Sequence, residues 1–131
     1  MYRLAVVEDN PDNRLLVHAM LDDAYDIVEF GDGHSALEGL KAARPDLVLL
    51  DISLPGMDGV EVLARLRRDP DTATLPVIAL TAHAMAGDRV RFMNAGFDDY
   101  VTKPIADEGL LFAAIERWLA PDAVGGARRG S

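Results

Sequence analysis

Five short apolar runs, spaced so that a stretch of helical period fits between each pair, constrain this chain more than any other feature. The runs are LAVV (4–7), IVEF (27–30), LVLL (47–50), VIAL (77–80) and DYV (99–101). Between them apolar residues recur every three or four positions: Leu16, Met20 and Leu21, then Ala36, Leu37 and Leu40, then Val60, Leu63 and Leu66. A weaker stripe holds Val90 and Met93, and the last holds Leu111, Ile115 and Trp118. Strands apolar on both sides and separated by helices demand a parallel sheet covered on both faces. Right-handed crossovers leave few topologies, and five βα units suit an open doubly wound sheet rather than an eight-stranded barrel. With 131 residues the chain is one domain. Asp12 or Asn13 is expected to cap the first helix behind Pro11, Ser35 the second, Asp58 the third, and Asn94-Ala95-Gly96 to close the fourth. From Pro121 onward no periodic core face remains, so residues 121–131 are expected as a flexible tail after a domain of residues 1–120.

Composition narrows the chemistry. A net charge of −9 argues against nucleic acid or an anionic membrane as partner, since the one dense basic run, Arg128-Arg129, lies in the Gly-rich tail. The absence of cysteine excludes disulfides, thiol nucleophiles and Cys-ligated zinc. No apolar run approaches the roughly 20 residues of a membrane helix, and no signal segment precedes the first strand. The expected location is the cytoplasm.

An open parallel sheet places its ligands beyond the carboxyl ends of the strands. There the sequence sets Glu8-Asp9, Asp51, Thr81-Ala82 and Lys103-Pro104. Carboxylates crowded together raise each other's pKa unless a cation joins them. Magnesium accepts a few carboxylate oxygens with retained waters and often a phosphate, whereas calcium wants more protein oxygens. Thiolates and paired histidines are absent, which points away from zinc and copper. Lys103 could meet an anion as a point charge and Thr81 could donate to it. Such a rim suits acceptance of a phosphoryl group by a carboxylate nucleophile.

Each residue also has a plainer reading. Asp51 before Pro55-Gly56 could be a turn former. Glu8-Asp9 could be solvated acids favouring a helix N-terminus, Thr81 a strand-end hydroxyl, Lys103 a surface lysine and Tyr100 a core residue. His18, His34 and His83 stand at unrelated spacings. The functional reading rests on four strand ends delivering complementary groups to one rim.

In their order and spacing, VVEDN, LVLLDISLPGMDG, ALTA and DDYVTKPI resemble a receiver domain of the two-component response regulator family, of the single-domain, chemotaxis-regulator-like kind, from about residue 2 to residue 120. The resemblance implies a flavodoxin-like (βα)5 fold with strand order 2-1-3-4-5. It implies that Asp51 is the phosphoacceptor, served by a sensor histidine kinase or histidine phosphotransfer protein in a phosphorelay. Glu8, Asp9, Asp51 and the Ser53 carbonyl would hold Mg²⁺, with Glu8 acting through water. Lys103 would pair with phosphoryl oxygens, and its bond to Pro104 would be cis. Thr81 and Tyr100 would switch together and alter the face of the fourth helix, fifth strand and fifth helix. Ser53 and His83, at the positions that tune phosphoryl lifetime in this family, imply slow to moderate self-dephosphorylation. The chain is thus expected to be a switch, not an enzyme, acting by protein contact as a monomer or weak homodimer.

Rivals fare less well. An FMN carrier would need a Ser/Thr/Gly-rich phosphate loop where EDNPD stands. An aspartyl-phosphate hydrolase would carry a second Asp where Ser53 stands, and an interaction module that had lost phosphorylation would lack one of the acids or Lys103. Receivers of hybrid sensor kinases commonly carry a run like TAHAMAGDR. Met1 just before the first strand, and a short tail, favour a free-standing protein.

Overall fold

The computed structural model describes residues 2–82, 86–103 and 108–125, with side chains for 2–82, 90–103 and 108–119; His83 and Pro104 lie outside the described residues. Among the described residues ten elements alternate: β1 (Arg3–Val7), α1 (Pro11–Leu21), β2 (Asp26–Phe30), α2 (Gly33–Ala43), β3 (Leu47–Asp51), α3 (Gly59–Arg68), β4 (Val77–Thr81), α4 (Ala86–Ala95), β5 (Asp99–Thr102) and α5 (Glu108–Gly125). All strand pairings are parallel, in the order β2-β1-β3-β4-β5. The expected sheet is the observed one. α5 continues through Pro121 to Gly125, into the segment expected as tail.

The period of two along each strand builds two cores. Ala5, Val7, Val48, Leu50, Val77 and Ala79 face α2, α3 and α4, where they meet Leu40, Leu63 and Phe92. Their neighbours Leu4, Val6, Leu47, Leu49, Ile78 and Leu80 face α1 and α5, meeting Leu21 and Ile115. β3 and β4 are buried at every position, as central strands of a doubly covered sheet must be, while the edge strand β2 is only half-buried.

Several helix details depart from expectation. Asn10, not Asp12 or Asn13, caps α1 by accepting from the amides of Asp12 and Asn13, because Pro11 occupies the first helical position and the cap must precede it. Asp32, not Ser35, caps α2, with Ser35 as donor through its amide. Asp58 caps α3 through the Glu61 amide, and Gly96 follows α4 at φ 110°, both as expected. Leu16, Val60, Val90 and Met93 lie exposed; Val17, Val62 and Phe92 face inward instead.

Candidate functional site

Register brings the site together. Val7 pairs with Leu50, so Glu8 and Asp51 leave the sheet side by side. Asp51 pairs with Leu80, and Thr81 with Thr102, which sets Thr81 and Lys103 one step further along the same rim. The Lys103 amide donates to the Thr81 carbonyl at 2.7 Å and so fixes that approach. Alternation turns Glu8, Asp51 and Lys103 toward the α1/α5 face, like Val6, Leu49 and Val101 before them. Tyr100 faces the other way, its half-buried ring 6.1 Å from that of Phe92 on α4, and Thr81 shares the parity of Ala79 on that face.

Glu8, Asp51 and Thr81 are 1%, 2% and 3% exposed, whereas Asp9 is exposed. Lys103 Nζ bridges the two buried acids, 3.0 Å from Asp51 Oδ2 and 3.2 Å from Glu8 Oε1. The second oxygens take backbone donors: Ser53 N–H to Asp51 Oδ1 at 2.9 Å and Asn10 N–H to Glu8 Oε2 at 3.3 Å. Burial, then a shared hydrogen bond and repulsion from Asp51, push the Glu8 carboxyl up to about 7. Burial also works against an ionised Asp51, but the bonds from Glu8, the Ser53 amide and Lys103 outweigh it and hold Asp51 below the usual carboxylate range. Burial likewise opposes the Lys103 charge, and the two acids overcome it and raise its pKa. Burial and mutual repulsion therefore fall on Glu8, while Asp51 is the acid held as an anion.

Ligand oxygens of Glu8, Asp9 and Asp51 lie within 4.8 Å of one another. Among the described residues, no donor holds the Asp9 carboxylate. Three carboxylates against one ammonium leave negative charge in excess. An all-oxygen donor set of this size fits a hard dication that retains water, which is magnesium chemistry.

Sequence reasoning passed over Gly59. A Cβ there would stand 2.4 Å from the Asp51 carbonyl oxygen and 2.8 Å from the Ile52 Cα, while the Gly59 amide donates to the Ile52 carbonyl at 2.9 Å. The start of α3 thus packs backbone to backbone against the strand end that carries Asp51. The only sequence trace is a glycine directly after the Asp58 cap.

Among the described residues no helix is long and apolar enough to cross a membrane. The receiver domain of sensor histidine kinase PA1611 from Pseudomonas aeruginosa PAO1, solved with a magnesium ion coordinated in its active-site cleft, superposes with a TM-score of 0.82 at 34% identity, over 91% of this chain and 98% of that one. The signal transduction histidine-protein kinase BarA of Escherichia coli K12 is 45% identical over 105 residues, 79% of this chain but only 11% of BarA. A 14.6 kDa protein from the sodA1 3′ region of Leptolyngbya boryana is 41% identical over 92% of this chain and 94% of its own length. The model of the response regulator receiver domain matches residues 4–116. That span runs from β1, whose end carries the acidic pair, into α5, so all five strand ends fall inside it, and the chain belongs to the response regulator receiver domain family.

Proposed function

We propose that Asp51 is the phosphoacceptor of a two-component or phosphorelay switch, and that it takes its phosphoryl group from a phosphohistidine on a sensor kinase or phosphotransfer protein. The observation that carries this reading is the Lys103 ammonium held between two buried carboxylates beside a third acid. An Asp51 oxygen attacks phosphorus, the P–N bond to the donor imidazole breaks, and its electron pair leaves with the ring. Asp51 is fitted to attack because it stays ionised despite burial. Lys103 lies where it can pass from the carboxylate to the incoming phosphoryl oxygens. Glu8, Asp9, Asp51 and the Ser53 carbonyl would hold Mg²⁺, Glu8 through water, and the ion would supply positive charge to the oxygens of the transferred group.

Signalling follows from the added charge. Thr81 turns to the phosphoryl group, and Tyr100, packed beside Phe92 of α4, moves into the space released. The surface of α4, β5 and α5 is where a protein partner reads the change. Ser53 and His83 supply no acid or amide for a hydrolytic water, so self-dephosphorylation is slow to moderate, and a lifetime of only a few seconds would contradict this. The cis geometry of the Lys103–Pro104 bond and a cytoplasmic location belong to the same reading.

The identity to BarA favours a second context, the receiver portion of a hybrid kinase; the Leptolyngbya protein, matched over nearly its whole length, favours a free-standing switch. Both use the same acceptor chemistry. Intact mass measured after incubation with Mg²⁺ and a small phosphoryl donor tests it: the parent gains one labile phosphoryl group and Asp51→Asn gains none. A parent that stays unmodified ends the proposal.

A further inference from the structure

Arg14 closes the first turn of α1 and touches none of the reacting groups, yet its guanidinium grips the backbone of both acids that end β1. Nη1 donates to the Glu8 carbonyl at 2.8 Å and to the Asp9 carbonyl at 3.4 Å. Its Nε faces Glu29 Oε1 on β2 at 3.4 Å. The other oxygen of Glu29 lies 2.5 Å from His18 Nδ1, and His18 Nε2 lies 3.3 Å from Asp22. Glu29 is thus held from two sides. A Cβ on Gly31 would approach Arg14 Nη1 to 3.2 Å, so a residue without one leaves room for the guanidinium beside the β2–α2 turn.

The consequence concerns Asp9. Its carboxylate is exposed, and among the described residues no donor orients it, so its direction is set by the backbone beneath it. That backbone is the peptide pair whose carbonyls Arg14 occupies. A fixed guanidinium bound to both carbonyls holds the peptide pair from which the two carboxylates project. Lysine could reach one carbonyl but could not also present a planar edge to Glu29.

We propose that Arg14, braced by Glu29, is a positioning residue that preorganises Glu8 and Asp9 for Mg²⁺. The inference rests on the reading of these acids as metal ligands, and charge gives it a distinctive sign. Removing a cation beside a dication site should, by Coulomb's law alone, tighten metal binding. Loss of positioning should weaken it, as changes to groups that orient metal ligands do by about 10-fold.

Calorimetric titration of Mg²⁺ into the metal-free full chain tests this on the parent, Arg14→Ala and Arg14→Lys. Arg14→Ala is expected to bind about 10-fold more weakly, and Arg14→Lys, with its charge kept and one donor left, about threefold more weakly. At saturating Mg²⁺ the phosphorylation rate should recover to within about twofold of the parent, which a general loss of structure would not allow. Without metal, the amides of residues 8–10 should exchange faster in Arg14→Ala while those of β3 keep their protection. Unchanged or tighter Mg²⁺ binding by Arg14→Ala overturns the proposal; if that variant does not fold, unchanged binding by Arg14→Lys does so. A parent that binds no Mg²⁺ overturns the metal-site reading itself and the inference with it, a result distinct from either of these.

Discussion

Two of the places where this molecule gathers buried or half-buried charge are built on opposite principles. At the carboxyl ends of the strands, Lys103 serves two buried acids with a third close by, and the sum is unbalanced. At the far end, Arg67 at the close of α3 is matched. It donates to Asp98 at 3.1 Å and to the carbonyls of Ala73, Leu75 and Gly96 at 3.2, 2.7 and 3.0 Å, and Asp98 also accepts from the Val77 amide at 2.8 Å. Both Nη atoms of Arg67 and Oδ2 of Asp98 thus find their partners inside the protein. The strand-end cluster leaves one acid pushed up toward neutrality and, among the described residues, another without a donor, which is the mark of a place made for something that arrives. Charge alone therefore does not identify a site; unpaired charge held in place does.

The largest effect should come from breaking the unbalanced cluster. Lys103→Ala removes the ammonium that bridges the two buried acids and can meet a phosphoryl group, and phosphorylation of Asp51 by a small donor should slow by about 100-fold, as when an electrostatic stabiliser is lost from a reacting centre. A rate within a few-fold of the parent, measured at saturating Mg²⁺, would make Lys103 a structural counter-ion like Arg67. Adding Mg²⁺ is the complementary change. At 100 times its dissociation constant the ion should stabilise the parent by about 2.7 kcal/mol. In denaturant unfolding Asp9→Ala should lose most of that gain, and an Asp9→Ala curve that still shifts fully with Mg²⁺ would remove Asp9 from the ligand set.

The matched clasp should answer in stability alone. Arg67→Ala leaves three carbonyls and Asp98 short of a donor, with Arg67 and Asp98 each only 24% exposed, and should cost about 2 kcal/mol. Its phosphorylation rate should equal that of the parent. Gly59→Ala lies between the two regions: the added Cβ meets backbone atoms of Asp51 and Ile52, and overpacking of that kind costs about 1–2 kcal/mol. Here the phosphorylation rate should fall as well, because what must move is the strand end under the acceptor. Stability lost with the rate intact would show that Asp51 keeps its place when α3 shifts.

The sequence made the reactive half of this comparison legible and the supporting half almost opaque. Strand ends can be read because apolar runs stop at a definite residue, so Glu8, Asp51, Thr81 and Lys103 could be assigned to one rim before any register was known. Arg14, Gly59 and Arg67 act on backbone atoms, and a carbonyl partner leaves no residue type in the sequence to pair with. Helix faces were misread where apolar residues stand next to one another. Leu16 and Val17 lie about 100° apart on the wheel and Val60 and Val62 about 160° apart, and which of each pair is buried depends on how the helix lies on the sheet. The misplaced cap of α1 has a local cause: the argument started from the polar residues behind Pro11, although proline at the first helical position puts the cap in front of it.

The smallest effect lies on the same helix as Arg67 and tests whether position or residue type is what counts. Arg65 Nε meets Glu61 Oε2 at 2.9 Å, one turn away, with both side chains about half exposed. Water already solvates each partner, and holding two long side chains together costs rotamer entropy, so pairs of this kind contribute about 0.3–0.5 kcal/mol. Arg65→Ala should therefore shift the unfolding midpoint barely beyond error, and high salt should erase the difference, since screening acts on exposed pairs. Arg67→Ala should keep most of its cost in the same salt, because its acceptors are carbonyls and a half-buried carboxylate. If the two variants cost the same and lose it equally with salt, the clasp at the far end is no more than surface charge, and its contrast with the strand-end cluster fails.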